Sequence, residues 1–410
     1  MSATTSHHKI VLIIILGLLT AVGPFSIDMY LPAFPEISSG LQAPISKVML
    51  SLSSYFIGIS AGQFLYGPLL ERFGRKRPIY AGLLLYLVAT LGCALSSTVD
   101  MLIVFRFFQA VGGCAGLVAS RAIVRDLFAP ADLPKIFSSL MLVVAVSPII
   151  APTAGGYVTA IWGWRAVFVV LLIINLLTIA GVFWLLPETK SPDPFYSLKS
   201  SHILPEFRSI LTHPEFATYA VSGAIAYAGL HAYISGSPNV FMNIFGVNEK
   251  QYGWIFAVIA SGIIGANQLN TLALKRFNSI QIIGAAMKMQ VAVAILLAML
   301  TFFNWANLFT TVALIFLFVS CIGFIFPNTS GLSLTPFGKG AGNASALMGA
   351  IQMGSGACAS ALVSLLHANT AIPMTVVMAV CALVAISVLR FVRSRINAIK
   401  QEESNLATAP

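Results

Sequence analysis

Charge is what this sequence has least of. Asp, Glu, Lys and Arg make up 9 % of its 410 residues, where an ordinary soluble domain carries about a quarter. With 58 % hydrophobic residues, that shortage excludes a water-soluble fold, because a globule of this length cannot hide so much apolar side chain. Cysteine is scarce too. Cys93, Cys114, Cys321, Cys358 and Cys381 all fall inside or at the edge of apolar stretches, so they read as small packing hydrophobes and supply neither a disulfide framework nor metal-ligand spacing. The chain has no phosphate-binding glycine loop, which argues against ATP drive. It also lacks paired carboxylates, a metal-ligand cluster and a Gly-x-Ser setting with a partnered histidine, so a polytopic membrane enzyme is only a remote alternative. No cofactor or metal is expected.

What the chain does have is one long hydrophobic run after another. A bilayer core of ~30 Å takes about 20 apolar residues per helix. Twelve such spans are read at 10–32, 47–68, 78–97, 102–120, 135–158, 166–186, 217–235, 250–272, 279–302, 307–330, 343–366 and 373–391. The first passes Asp28 with no small-residue cleavage site and reads as a retained span, not a signal peptide. The net charge of +10 takes its meaning from its placement. With the N-terminus inside, connectors on that side carry eighteen Lys and Arg, and those on the other side carry Lys47, Arg165 and Lys250. This positive-inside bias puts both termini in the cytoplasm and makes a nucleic-acid partner unnecessary.

The longest polar connector contains Pro187, Pro192, Pro194, Pro205 and Pro214. It divides the spans into an N-terminal six-helix half, 1–189, a cytoplasmic linker, 190–216, and a C-terminal six-helix half, 217–410. The expected fold class is therefore an all-α membrane protein of twelve helices in two halves. Leu70-Glu71-Arg72-Phe73 is echoed 204 residues later by Leu274-Lys275-Arg276-Phe277, and the same offset carries the small-residue stretch 145–156 onto 349–360. Weak internal symmetry of this kind recurs in secondary transporters, which bind substrate between their halves near the midplane.

An ionisable side chain in hydrocarbon costs about 2.5–3.5 kcal/mol on insertion scales, so the few present are candidates for function. They are Asp28, Arg106, His231 and Lys288. Asp28 and Arg106 stand about four and five residues from the outer ends of spans 1 and 4, some ~6–8 Å below the boundary at ~1.5 Å per residue. At equal depth the two can meet across the bundle interior, and Asp28, the one acid placed within a span, is the candidate proton carrier; the plainer alternative is that both reach the interface. His231 reads as a satisfied or interfacial histidine and Lys288 as a snorkelling one. Tyr30, Tyr55, Tyr227, Tyr233, Trp254, Asn267 and Gln268 offer the aromatic faces and hydrogen bonds of a small-molecule pocket, although Tyr and Trp also gather at membrane interfaces.

Three segments stand out. Gly67-Pro68-Leu69-Leu70-Glu71-Arg72-Phe73-Gly74-Arg75-Lys76-Arg77 is a tight cationic turn, in which glycine allows the backbone reversal and the acid can pair with a neighbouring cation. Ser147-Pro148 and Pro152-Thr153-Ala154-Gly155-Gly156 permit a bend and close helix contact within one span. Gly58 and Gly62 form a GxxxG pair.

The cationic turn resembles the signature loop of the major facilitator superfamily, with Glu71 in the place of the usual Asp. Arg106-Phe107-Phe108-Gln109-Ala110 resembles that superfamily's span 4 motif. Ala151-Pro152-Thr153-Ala154-Gly155-Gly156 resembles its span 5 antiporter motif, with Ala151 and Ser147 where glycines are usual. Asp28-Met29-Tyr30-Leu31-Pro32, Arg121-Ala122-Ile123-Val124-Arg125-Asp126 and Leu186-Pro187-Glu188-Thr189 are similar to the Bcr/CflA branch of drug exporters. The resemblance implies a monomeric, multi-pass protein of the bacterial inner membrane that exports chloramphenicol- or bicyclomycin-like drugs in exchange for protons. It further implies coupling by Asp28 and Arg106, and gating by Glu71, Arg72, Arg75, Arg121, Pro152, Gly155 and Gly156. A symporter or metabolite exporter of the same fold is the alternative.

Overall fold

The structure, a computed structural model, describes residues 6–128, 133–195, 200–366 and 370–407. Those residues form fourteen α-helices: α1 (Ser6–Asp28), α2 (Phe34–Gly40), α3 (Ile45–Phe73), α4 (Lys76–Ala94), α5 (Val99–Leu127), α6 (Leu133–Trp162), α7 (Trp164–Leu185), α8 (Ser200–Thr212), α9 (Pro214–Pro238), α10 (Glu249–Ala273), α11 (Ser279–Phe302), α12 (Leu308–Leu334), α13 (Ala341–Leu365) and α14 (Ile372–Ala407). Helix is the form these runs must take, because hydrocarbon offers no partner to an unpaired N–H or C=O. Where the chain leaves the bilayer, caps set the boundaries. Asn248, Asn278 and Asn307 each accept from the backbone of the N3 residue, whose side chain bonds back to the Asn N–H, satisfying two otherwise orphaned donors. Eleven of the helices are long and apolar enough to cross a membrane. α9 is long enough but falls below them in hydropathy, because its sides face protein: 18 of its 25 residues are buried.

Helices α1 and α3–α7 pack on one another, as do α9–α14, and two seams join the sets, α3 against α13 and α6 against α10. Within the first set, the GxxxG of α3 is a true contact. A β-carbon on Gly58 would stand 2.5 Å from the Phe107 carbonyl oxygen, and one on Gly62 would stand 2.6 Å from Cys114 Cβ. In the seams, Ser53 and Ser360 hydroxyls meet at 2.7 Å and Ser60 donates to the Ala350 carbonyl at 2.9 Å. A β-carbon on Gly253 would lie 2.7 Å from Thr153 Cα, and Gly156 abuts the Glu249 carbonyl. The internal echo now has a geometry. Stretch 145–156 lies in the α6–α10 seam and 349–360 in the α13–α3 seam, and α3 and α10 begin at Ile45 and Glu249, the same 204 residues apart.

The two ends of the bundle differ. One carries the 67–77 turn and the other the segments between α1 and α3 and between α9 and α10. At the latter end a single apolar core joins both sets, running from Met29, Phe34 and Phe56 to Tyr233, Phe241 and Phe256. Toward the cationic end the cores are separate: Leu16, Leu70 and Ile123 belong to one, Ile283, Ile325 and Leu389 to another. The sets are thus fused at one end and apart at the other.

Candidate functional site

Between the sets lies a cavity of about 290 Å³, lined from α1, α3, α5, α6, α9, α10, α12 and α13. Its walls are mostly apolar, with Phe56, Ile59, Phe256, Phe326 and Met353 among them. Set into these walls are Asp28, Tyr55, Arg121, Tyr227, His231, Tyr233 and Gln352. Asp28 is the last residue of α1, 5 % exposed, with neither a hydrogen bond nor an ion pair among the described residues. The buried Tyr233 hydroxyl also lacks a partner among those residues. An unpartnered carboxylate and an unpartnered phenol in an apolar chamber suit a ligand that has both an apolar body and polar groups.

The expected meeting of Asp28 with Arg106 does not occur. Arg106, fully buried, places its guanidinium between the rings of Tyr30 and Tyr55, 4.4 and 4.1 Å from their centroids. Its Nη1 donates to Gln109 Oε1 at 2.6 Å, and Gln109 Nε2 donates to Thr90 Oγ1 at 2.8 Å. Nε and Nη2 have no partner among the described residues. Aromatic faces attract a desolvated cation by about 2 kcal/mol or more, so equal depth brought the arginine to rings and not to the carboxylate. Tyr55 has one face on Arg106 and lines the cavity, which places Arg106 one ring behind the wall.

Of the seven side chains expected to contact substrate, Tyr55, Tyr227 and Tyr233 line the cavity. Tyr30 is packed in the core against Phe34 and Phe168, with its hydroxyl 2.7 Å from Ser51. Trp254, Asn267 and Gln268 are exposed on the outer side of α10. Hydropathy gives a residue's depth but not the side of the helix it occupies, and here polarity marked the rim. His231 is the converse case. Its ring meets Phe56 edge-on at 4.4 Å, its Nδ1 lies 3.3 Å from the Tyr227 carbonyl oxygen, and Gly356 leaves room for it. It lines the cavity beside the α3–α13 seam instead of sitting at an interface. Its isolation as the one histidine within a span was the available signal. Lys288 is exposed, as a snorkelling lysine is.

At the cationic end, Gly74 adopts φ +78°, a left-handed conformation that favours glycine. Arg75, 4 % exposed, pairs with Asp126 at 2.8 Å and with Glu71 at 3.1 Å and donates to the Leu70 carbonyl. Burial opposes its charge and the bonds to Asp126 and Glu71 outweigh it, holding the guanidinium above the ordinary arginine range. Glu71 also pairs with Lys190. Glu188 accepts from the Arg75 and Lys76 N–H groups at 2.8 and 3.0 Å, capping α4, where an anion is favoured. Arg72 donates to the Asp193 carbonyl at 3.4 Å. At the fused end Gly155 lies against the Met29 backbone, and Pro152 and Gly156 against α10.

A polytopic helical bundle enclosing one drug-sized chamber between two joined sets of helices defines a membrane transporter. The sequence profile of the Major Facilitator Superfamily matches residues 16–364, and the chain belongs to that family. It is 34 % identical over 387 residues to the uncharacterized MFS-type transporter YdgK of Bacillus subtilis, covering 93 % of this chain and 94 % of the relative. It is 30 % identical over 394 residues to a bicyclomycin resistance protein homolog of Haemophilus influenzae, covering 94 % and 96 %. Among solved structures it shares the fold of a D-xylose-proton symporter, with TM-score 0.71 and 16 % identity over 92 % of this chain and 97 % of that one. It is a transporter and not an enzyme, a multi-pass protein of the inner membrane.

Proposed function

We propose that this chain is a proton-driven antiporter that exports amphiphilic antibiotics, chloramphenicol- or bicyclomycin-like, by alternating access. The observation that carries the reading is Asp28, a carboxylate without a counter-ion in the wall of a central aromatic chamber. Its charge is costly in hydrocarbon. A proton removes that charge and a bound substrate screens it, so the two compete for one site. Arg106 acts through the Tyr55 ring that separates it from the chamber. The antibiotic named in the Haemophilus relative supports the substrate class.

In this reading α9 is the seventh of twelve spans, and residues 1–189 and 217–410 are halves that rock about the linker at 190–216. The excess of Lys and Arg puts the cationic end and both termini in the cytoplasm. The chamber then faces inward, sealed by the shared core at the outer end. Pro152, Gly155 and Gly156 hold the outer seam, while Glu71, Arg72, Arg75 and Arg121 govern the inner closure. The protein works as a monomer in the lipid bilayer with a small molecule and protons as its partners. The test is proton release on adding chloramphenicol or bicyclomycin to purified protein in weak buffer. Release is expected from the wild type and not from Asp28→Asn. Undiminished release by Asp28→Asn would remove Asp28 from the mechanism, and silence of the wild type with both drugs would sink the antiport.

A further inference from the structure

We propose that Arg121 is the anion-binding end of the cavity, and that the substrates best suited to this chain are amphiphiles bearing a negative charge. The inference rests on the reading of the chamber as the substrate site. Two of its lining side chains carry a formal charge, Asp28 and Arg121, and they stand at opposite ends. Ser120 donates to the Leu16 carbonyl at 3.3 Å, a β-carbon on Gly116 would lie 2.7 Å from the Leu19 carbonyl oxygen, and one on Gly113 would lie 3.6 Å from Val22. These contacts run α1 and α5 antiparallel, with Arg121 level with residue 15. Asp28 is then ~20 Å away along the bundle at ~1.5 Å per residue. Side chains of a helix lean toward its N-terminus, so the Arg121 guanidinium leans into the chamber toward Asp28.

Three other arginines of the first set have partners in the protein, although Arg106 keeps two nitrogens unpaired. Arg75 has Asp126 and Glu71, Arg106 has Gln109 and two rings, and Arg165 has the Ser96 carbonyl and the Trp164 ring. Arg121 makes no hydrogen bond or ion pair among the described residues, and its side chain is exposed within the chamber. The acid nearest on its helix, Asp126, is already held by Arg75 and Thr189. One turn on, Arg125 reaches toward α13, its Nη1 3.4 Å from where a β-carbon on Gly342 would stand, which adds positive charge at the mouth. A planar guanidinium left without a carboxylate is a ready fork for a carboxylate, sulfonate or phosphate. Between it and Asp28 the walls are Ile59, Ile263, Phe326 and Met353, which fit an apolar tail.

The experiment is calorimetric titration of the full chain in detergent with para-alkylbenzoates, butyl to octyl, and the matching para-alkylbenzamides. The two series differ in charge and share the tail. The wild type is expected to bind each acid about tenfold or more tighter than its amide, the size of one charge-assisted hydrogen bond. Arg121→Gln should abolish that ratio and Arg121→Lys should keep part of it, since the lysine restores the charge without the fork. A gating role alone would move acid and amide together. Equal affinities in the wild type, or a ratio that survives in Arg121→Gln, would overturn the assignment while leaving the chamber a drug site. Failure of both series to bind would overturn it together with the reading of the chamber. Since the wild-type ratio needs no variant, a variant that fails to fold does not spare the proposal.

Discussion

The two sets of six long helices share a fold and divide the chemistry. α1 and α3–α7 bury Asp28, Arg75 and Arg106, whereas among the described residues of α9–α14 no Asp, Glu, Lys or Arg is buried. The second set meets the cavity with Tyr227, His231, Tyr233 and Gln352, and it braces itself with amides such as Asn328, which donates to Asn270 at 2.7 Å. The same four-residue echo shows the contrast most directly. Glu71-Arg72 sits at the edge of an ion network, while Lys275 and Arg276 lie exposed. One repeat has kept an architecture and placed charge in half of it. The charged set therefore suits proton handling, and the aromatic set suits recognition of an apolar surface.

The contrast can be broken most severely at Asp28. Asp28→Asn should lower drug-driven proton exchange in proteoliposomes about a hundredfold or more, the order expected for a lost proton-transfer group, with the thermal midpoint within a few degrees of wild type. His231→Phe, on the opposite wall, should change drug affinity and leave proton release by bound drug in place, read by titrating release against drug concentration. A smaller effect separates the two echoed turns. Arg75→Ala leaves Glu71 with Lys190 alone and Asp126 with Thr189 alone and should cost about 2–3 kcal/mol of stability, less than a fully buried pair because both acids are partly exposed. Arg276→Ala should stay within about 0.5 kcal/mol, both read from denaturant unfolding in detergent. Between those two, Asn328→Leu should cost about 0.6 kcal/mol and at most about 1.7, the average and largest values measured for hydrogen bonds between membrane helices.

Depth was legible in the sequence and azimuth was not. The runs read at 47–68 and 102–120 lie inside α3 (Ile45–Phe73) and α5 (Val99–Leu127); the helices continue past the apolar runs into polar residues, with Thr98 capping the start of α5, and hydropathy does not register that continuation. The offset of 204 residues correctly paired the stretches that form the two seams. Arg106 was rightly placed in the interior and wrongly given a carboxylate, since cation–π partners leave no mark in a search for opposite charges. Asn267 and Gln268 drew attention as polar residues in a span, yet they lie near the end of α10, where a polar side chain reaches the interface at little cost. Arg121 fell in a connector by hydropathy; it stands one residue beyond the apolar run on a helix that continues to Leu127, and only the packing of α1 on α5 shows that it enters the chamber.

The low hydropathy of α9 has a consequence for how the chain is made. A segment rich in serine, tyrosine and small residues partitions weakly into lipid, and insertion during synthesis is decided segment by segment. α9 leaves the ribosome before α12, α13 and α14, the helices that wrap it. Its residence in the bilayer is therefore provisional until the last third of the protein has been translated, and a chain halted after α11 should leave it partly untranslocated although its own sequence is intact. A helix that lends Tyr227, His231 and Tyr233 to the chamber wall is thus one whose insertion waits on neighbours made after it.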